Sequence, residues 1–196
     1  MNLAHLGDAL DHWKGSLIEL IGGKDMRVVP MFTDDNPWAE QQIEVYARLL
    51  HLNPGDVLKK DLRFCASTRH DYFHDLGEHD LFLDPDTGVA PDDNGATEKH
   101  VLASEIAGLV AVAPSRLLLI YQHASRDKEG LPKKLKSLHS TKGLNTCDIF
   151  AYDSGAVSVV VISQNRERAQ GALARLQCWL GPIAATRIIG PSISKD

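Results

Sequence analysis

The chain has 196 residues, of which 43% are hydrophobic, and a formal net charge of −5 with its 9 histidines counted as neutral. This size and composition predict one globular domain over residues 1–196, and they exclude a fibrous or disordered chain. The acidic balance argues against broad electrostatic binding of duplex DNA or of anionic membranes, and it leaves nucleic acid as a partner undecided.

The first residues and the cysteines indicate a cellular compartment. No apolar run approaches the ~20 residues that a membrane span needs, and the N-terminus lacks the basic start and apolar stretch of a signal peptide. Three cysteines, Cys65, Cys147 and Cys178, form neither a CxxC pair nor an even set. The sequence therefore predicts free thiols in a reducing cytoplasm and no membrane partner.

The first part of the chain alternates between helical and strand-like patterns. Apolar residues at helical spacing predict a helix over residues 3–21, and a short apolar run predicts a strand over 27–32. A polar stretch with N-cap residues then predicts a helix over 37–52. Residues 56–64 are a candidate strand, and the apolar run at 80–84 is a clearer one.

The second part of the chain continues this alternation. In chain order it predicts a polar loop at 91–95, a helix at 99–112, a strand at 116–121, two strands at 147–152 and 156–163, a helix at 164–180 and a last strand at 185–189. The residues Asp153-Ser154-Gly155 are a hairpin signal between two of these strands. The pattern therefore predicts a Rossmann-like three-layer α/β domain with a mostly parallel sheet and a C-terminal antiparallel hairpin.

Polar residues follow the ends of the predicted strands. Asp34 and Asp35 come after the first strand, Asp84 and Asp86 after the second, and His123 after the third. Ligands of open α/β sheets bind outside the carboxyl ends of the strands, so we expect these side chains to share one site. The sequence predicts that Asp34, Asp84 and His123 lie in one pocket.

A group of carboxylates at one edge needs compensation. Two carboxylates ~4 Å apart repel by about 4 kcal/mol at an effective dielectric near 20. A nearby cation, a shared proton or good solvation makes this repulsion tolerable, and the candidate cations are Lys14, Lys99, Arg126, a histidine or a bound metal. The alternative is that Asp84-Pro85-Asp86-Thr87-Gly88 is an ordinary turn and that His123 is an ordinary histidine at a strand end.

Several motifs together carry a resemblance. GDALDHWK, PMFTDD, LFLDPDTG, KHVLASEI and IYQHASR resemble an uncharacterised family of small bacterial and phage-borne Rossmann-like proteins over roughly residues 5–126. More distantly, the chain is similar to class I S-adenosylmethionine-dependent methyltransferases that act on nucleic acid. In those enzymes a helix that ends in a lysine precedes the first strand, and a later strand ends in Asp-Pro-Pro-aromatic, of which Asp84 and Pro85 match the first two positions. Asp86 and Thr87 replace the others, and no glycine-rich turn follows the first strand.

The first functional hypothesis follows from this resemblance. It implies a methyltransferase-like enzyme that acts on nucleic acid or on a nucleotide, with S-adenosylmethionine as cofactor. Its candidate residues are Asp84 and His123 for catalysis and Lys14, Asp34, Asp35 and Asp86 for cofactor binding.

Two further hypotheses come from other classes of protein. In a Mg²⁺- or Mn²⁺-dependent phosphoryl-transfer or hydrolytic enzyme, Asp84 and Asp86 would bind the metal together with Asp34 or Asp8. In a non-catalytic module, the acidic edge would bind only a small molecule, a nucleotide or a partner. The residues alone leave all three hypotheses standing.

Overall fold

The computed structural model describes residues 3–22, 25–35, 37–90, 97–124 and 130–190. The predicted loop at 91–95 and the candidate cation Arg126 lie outside these ranges. Within them, no helix combines the length and the apolar character that crossing a membrane requires.

Short strands alternate with helices along the described chain. The strands are β1 (Met26–Val29), β2 (Asp80–Leu83), β3 (Gly88–Ala90), β4 (His100–Leu102), β5 (Leu118–His123), β6 (Asp148–Asp153), β7 (Val157–Ser163) and β8 (Ile188–Ile189). The α-helices are α1 (Ala9–Leu17), α2 (Glu40–Leu49), α3 (Arg69–Tyr72), α4 (Ala103–Val112), α5 (Gly130–Ser140), α6 (Arg166–Leu180) and α7 (Ala184–Arg187). The protein is therefore a mixed α/β structure.

Six strands form one sheet in the order β1-β2-β5-β7-β6-β8, and β3 and β4 form a separate parallel pair. In the large sheet β1, β2 and β5 are parallel neighbours. Strand β7 lies between β5 and β6 and is antiparallel to both, and β8 is antiparallel to β6. Four strands thus run in one direction and two in the other, so most strands share one direction, while two of the five neighbouring pairs are parallel and three are antiparallel.

Helices cover both faces of the sheet. Successive strand residues point to opposite faces, so Phe82 belongs to a cluster with buried residues of α1, α2 and α6. Leu81 and Leu83 belong to a second cluster with residues of α4 and α5. Because β2 is buried along its whole length, its residues 81–83 form a continuous apolar run rather than an alternating one.

The N-terminal segment is not the single helix predicted over 3–21. Helix α1 begins only at Ala9, because Asp8 is extended and its carboxylate caps two N–H groups of the first turn at 2.8 and 3.3 Å. After α1, the segment Ile18–Gly22 forms a π-helical turn. The apolar spacing identified the helix, whereas the cap decided where it starts.

The helices predicted over 37–52 and 99–112 also begin later than their apolar spacing suggests. The Gln42 side chain accepts the Ala39 N–H at 2.7 Å, which fixes the start of α2. The residues before α4 pair as strand β4 instead of extending the helix, and Glu105 accepts the Leu102 N–H at 2.7 Å. In both cases a side chain in the first turn satisfies a backbone donor that the helix leaves without a partner.

Two predicted strands are wrong in whole or in part. Residues 56–64 form turns, and Val57 makes only an isolated bridge to Val28 of β1. The strand predicted over 185–189 is mostly α7, and only Ile188 and Ile189 pair with β6. Both segments contain apolar residues without a sustained period of two, which makes a short run ambiguous between strand and turn.

Candidate functional site

The carboxyl ends of β1, β2 and β5 meet at one edge of the sheet, because these strands are parallel neighbours. Asp34, Asp84 and His123 all follow or end these strands. This edge is where open α/β sheets bind ligands. The contacts of each side chain decide what it is available to do.

A buried ion pair joins α1 to the end of β2. The Lys14 Nζ atom lies 2.8 Å from Asp84 Oδ2 and 3.2 Å from Asp11 Oδ1. The Tyr46 hydroxyl of α2 donates to the same Asp84 oxygen at 2.7 Å, and Lys14 Nζ lies 4.6 Å from the centroid of the Tyr121 ring. We call these five residues the Lys14 cluster. Lys14 is 4% exposed and Asp84 is 1% exposed, so water scarcely reaches the pair.

The local sequence explains how α1 presents this pair. Asp11 and Lys14 are three residues apart and therefore lie on the same side of the helix. Gly15 lets α1 approach α2 closely, since a Cβ atom at this position would lie 2.3 Å from the Leu49 carbonyl oxygen. The close helix contact places Tyr46 and Lys14 on the same carboxylate oxygen.

Burial and charge act in opposite directions within the Lys14 cluster. Burial alone would lower the pKa of Lys14, but the carboxylates of Asp84 and Asp11 outweigh burial and raise that pKa above its usual value. Burial raises the pKa of Asp11 against the opposing effect of Lys14. Lys14 therefore stays a charged ammonium in a region of low dielectric, where it acts strongly on neighbouring groups.

The two carboxylate oxygens of Asp84 differ in their hydrogen bonds. Oδ2 accepts from both Lys14 and Tyr46, whereas Oδ1 has no hydrogen-bond partner among the residues that the structure describes. A ligand that donates a hydrogen bond would reach Asp84 through Oδ1. The fixed Lys14 and Tyr46 contacts would hold the carboxylate in place while it does so.

The candidate carboxylates after β1 are engaged with protein groups. Asp34 Oδ2 accepts the backbone N–H of Leu3 and the indole N–H of Trp38, each at 2.8 Å. Asp35 is exposed and forms an ion pair with Arg63 at 2.7 Å. Asp34 thereby ties the N-terminal segment to the loop after β1.

Asp86 and His123 lie nearer to solvent than Asp84. Asp86 Oδ2 accepts the Thr33 hydroxyl at 2.9 Å, which links the loops that follow β2 and β1. The exposed His123 ring packs edge-on against Tyr121, with ring centroids 5.2 Å apart. Desolvation of the ring atoms that face the protein lowers the pKa of His123, and the Lys14 charge lowers it further. Both effects favour the neutral imidazole, which can accept one hydrogen bond and donate another.

Sequence reasoning missed several residues of this edge. Tyr46 and Tyr121 belong to apolar patterns, and nothing local marks their hydroxyl groups as polar partners. Gln122 was missed as well, although its buried amide accepts from the Val89 N–H at 3.0 Å and donates to the Thr87 carbonyl at 3.1 Å. The spacing of Asp11 and Lys14, three residues apart on a predicted helix, is a signal that could have identified this pair.

The described residues do not fit the divalent metal site of the second hypothesis. They contain no group of three or more His, Cys, Asp or Glu side chains arranged to hold a metal ion. The Asp84 carboxylate is already paired with an ammonium at 2.8 Å, which would repel a divalent cation. Asp84 and Asp86 thus have separate protein partners.

A cavity of about 880 Å³ lies elsewhere, between α3 and α4, and residues of the Lys14 cluster do not line it. Its buried residue Arg116 donates to the backbone carbonyls of Leu109, His79 and Gly77, which is a structural role. The cavity and the carboxyl ends of the strands, where open α/β sheets bind ligands, therefore indicate different locations for a ligand site. We place the candidate site at the strand ends, because the buried pair of Lys14 and Asp84 lies there beside the exposed ring of His123.

Alkaline pH is expected to destabilise this cluster. Burial raises the pKa of Tyr121 to about 12, and burial also raises the pKa of Tyr46. An unfolded tyrosine loses its proton near pH 10, so the free energy of unfolding falls between pH 10 and 12 by about 1.4 kcal/mol per pH unit for each such group. Urea unfolding at a series of pH values measures this slope. Tyr121→Phe should reduce it, and an unchanged slope would show that Tyr121 titrates normally.

Comparison with protein families, with curated proteins and with solved structures finds no match to this chain.

Proposed function

We propose that the chain is a methyltransferase-like, Rossmann-like protein that binds S-adenosylmethionine or a related adenosine nucleotide at the carboxyl ends of β2 and β5. One observation carries this proposal. Lys14, on the helix before the first strand, and Asp84, the first residue of the Asp-Pro pair, both belong to the resemblance to class I methyltransferases, and they are 70 residues apart in the chain but in direct contact in the fold.

The energetics of this contact also support a binding site. A buried ion pair contributes little net stability, because the desolvation of both charges offsets their attraction. Pairs of this kind are common at functional sites, where they orient a polar group toward a ligand. Asp84 Oδ1, which has no hydrogen-bond partner in the described part of the chain, and the exposed His123 ring are the groups that remain for a ligand.

The turn after β1 places a limit on how a cofactor would bind. Met31 has a φ of +49°, a conformation typical of glycine, but it carries a full side chain that is completely buried. A glycine-rich turn lets the protein backbone come close to a cofactor, and the turn after β1 does not offer such an approach. We therefore infer that the ligand lies over β2 and β5 rather than against this turn.

Ligand binding is expected to raise the melting temperature. A ligand at 100 times its dissociation constant adds about 2.7 kcal/mol, which raises the melting temperature of a protein of this size by roughly 5–11 °C. The measurement is a thermal melt with S-adenosylmethionine, with its demethylated product and with adenosine nucleotides. No shift with any of them at saturating concentration would contradict the proposal.

Two exposed histidines provide a matched pair of variants for the same experiment. His123→Ala removes a ring at the carboxyl edge, and His79→Ala removes a ring just before the amino end of β2. We expect His123→Ala to weaken binding roughly two- to tenfold, the effect of one hydrogen bond, and His79→Ala to leave it unchanged. Equal effects would place the ligand elsewhere.

A non-catalytic nucleotide-binding module is the second candidate. The observation that favours it is the burial of Asp84, which is 1% exposed and therefore poorly placed to exchange a proton with a substrate. Incubation with labelled S-adenosylmethionine and with DNA, RNA or nucleotides separates the two candidates. Binding without methyl transfer would favour the module.

A further inference from the structure

The Lys134 amine on α5 contacts neutral oxygen atoms, whereas the Lys14 amine contacts carboxylates. Its Nζ atom donates to the Val89 carbonyl at 2.7 Å and lies 3.1 Å from the Gln122 amide oxygen. Both oxygens are neutral, and within the described residues no carboxylate lies within ion-pair distance of Lys134. Burial therefore lowers the pKa of Lys134, whereas two carboxylates raise that of Lys14.

A small cavity adjoins this amine. Its volume is about 220 Å³, and it is lined mostly by small and apolar side chains: Val89, Ala90, Ala103, Ser137 and Leu138, together with Lys133 and Lys134. This volume corresponds to roughly seven water molecules. The cavity therefore suits a compact molecule of a few carbon atoms with an apolar body.

A partly desolvated lysine without a counter-ion has a larger fraction of free amine, and the free amine is the nucleophile. We propose that Lys134 is a reactive amine that forms an imine with a small aliphatic aldehyde or ketone bound in this cavity. This site lies on the α4 and α5 side of the sheet, and the inference is independent of the proposed adenosine ligand.

The covalent step is balanced without any redox partner. The Nζ lone pair attacks the carbonyl carbon, and a proton moves from nitrogen to oxygen to give a carbinolamine. The nitrogen lone pair then expels the hydroxyl group, which takes up the remaining proton of the nitrogen and leaves as water, and a carbon–nitrogen double bond forms. Water reverses the step, and Val89 and Gln122 hold Nζ at the cavity while it occurs.

Reductive trapping tests this assignment. The folded protein is treated with propanal and cyanoborohydride at neutral pH, and the labelled lysines are quantified by peptide mass spectrometry. We expect Lys134 to be labelled roughly fivefold or more faster than Lys136, an exposed lysine of the same helix, because each unit of lowered pKa gives about tenfold more free amine. Labelling of Lys134 no faster than that of Lys136 would overturn the proposal.

Two serines of α5 test whether the cavity holds the carbonyl compound. Ser137 lines the cavity and is exposed, so Ser137→Leu fills the cavity mouth without disturbing the core. Ser140 is exposed on the same helix and provides the control Ser140→Leu. We expect only Ser137→Leu to reduce Lys134 labelling to the rate of Lys136. Equal labelling in both variants would show that the cavity takes no part.

The pH dependence of labelling gives an independent readout. As the pH rises, the rate of reductive labelling at Lys134 should reach its plateau at a lower pH than the rate of labelling at Lys136. Lys133 of the same helix and His100 of β4 are titratable groups near Lys134, and burial together with the Lys134 and Arg69 charges lowers the pKa of His100, which favours its neutral form. Coincident profiles for the two lysines would contradict the assignment, whatever the outcome of the S-adenosylmethionine melts.

Discussion

Replacing Lys14 by methionine is expected to lower the free energy of unfolding by about 3–5 kcal/mol, the usual cost of removing one partner from a buried ion pair. Methionine keeps most of the volume of the side chain, so the loss comes from charge rather than from a cavity. Asp84 and Asp11 would remain buried, and among the described residues they would keep the Tyr46 hydroxyl and the Gly7 N–H as partners. Urea unfolding of both proteins at neutral pH measures the difference.

Two companion variants separate charge from packing. Lys136→Met changes an exposed lysine and should alter stability by no more than about 0.5 kcal/mol. The double variant Lys14→Met/Asp84→Asn removes both buried charges, so it should be less destabilised than the sum of the two single variants. Additive losses, or a loss below about 1 kcal/mol for Lys14→Met alone, would mean that the pair behaves like a solvated surface pair.

The substitution Gly15→Ala is expected to destabilise the protein by about 1–3 kcal/mol or more, although alanine is the better helix former. The added methyl group would lie 2.3 Å from the Leu49 carbonyl oxygen and 3.1 Å from the Leu50 Cα atom. Backbone atoms do not yield as a flexible side chain does, so α1 and α2 must move apart. That movement would also draw Lys14 away from Asp84. Thermal and urea unfolding measure the loss.

Gly108 of α4 provides the matched control. A Cβ atom there would meet no other atom within 4 Å, so Gly108→Ala should gain about 0.5–1 kcal/mol from helix propensity alone. The same chemical change should therefore have opposite signs at the two sites. A gain at both positions would show that α1 and α2 are not in the tight contact that positions the Lys14 cluster.

The stability of the site and its function are linked through this helix contact. If a ligand binds at the open Asp84 oxygen, Gly15→Ala should weaken binding as well as folding, because the carboxylate loses its fixed orientation. His123→Ala should weaken binding alone, because its ring is exposed and lies edge-on against Tyr121 at the surface. The pair of variants thus separates ligand contact from the positioning of the carboxylate.

Local pattern alone determined much of the architecture. The helix predicted over 164–180 is α6 (Arg166–Leu180), and the apolar runs at 80–84 and 116–121 overlap β2 and β5. Strands and amphipathic helices show hydrophobic periodicity in their sequences, because each residue faces either the core or solvent. The same periodicity located the ends of three strands, and these strands prove to be parallel neighbours. It therefore indicated that Asp34, Asp84 and His123 would lie at the carboxyl edge of the sheet.

Only the tertiary structure decided what those residues do. Lys14 was one of several candidate cations, and its contact with Asp84 over 70 residues depends on how α1 packs against α2 and the sheet. Tyr46 is an apolar-stripe residue by pattern, yet its hydroxyl is a partner of Asp84. Hydrophobic periodicity records whether a residue is buried, but it carries no information about which polar group it meets there, because that depends on the approach of elements far apart in the chain.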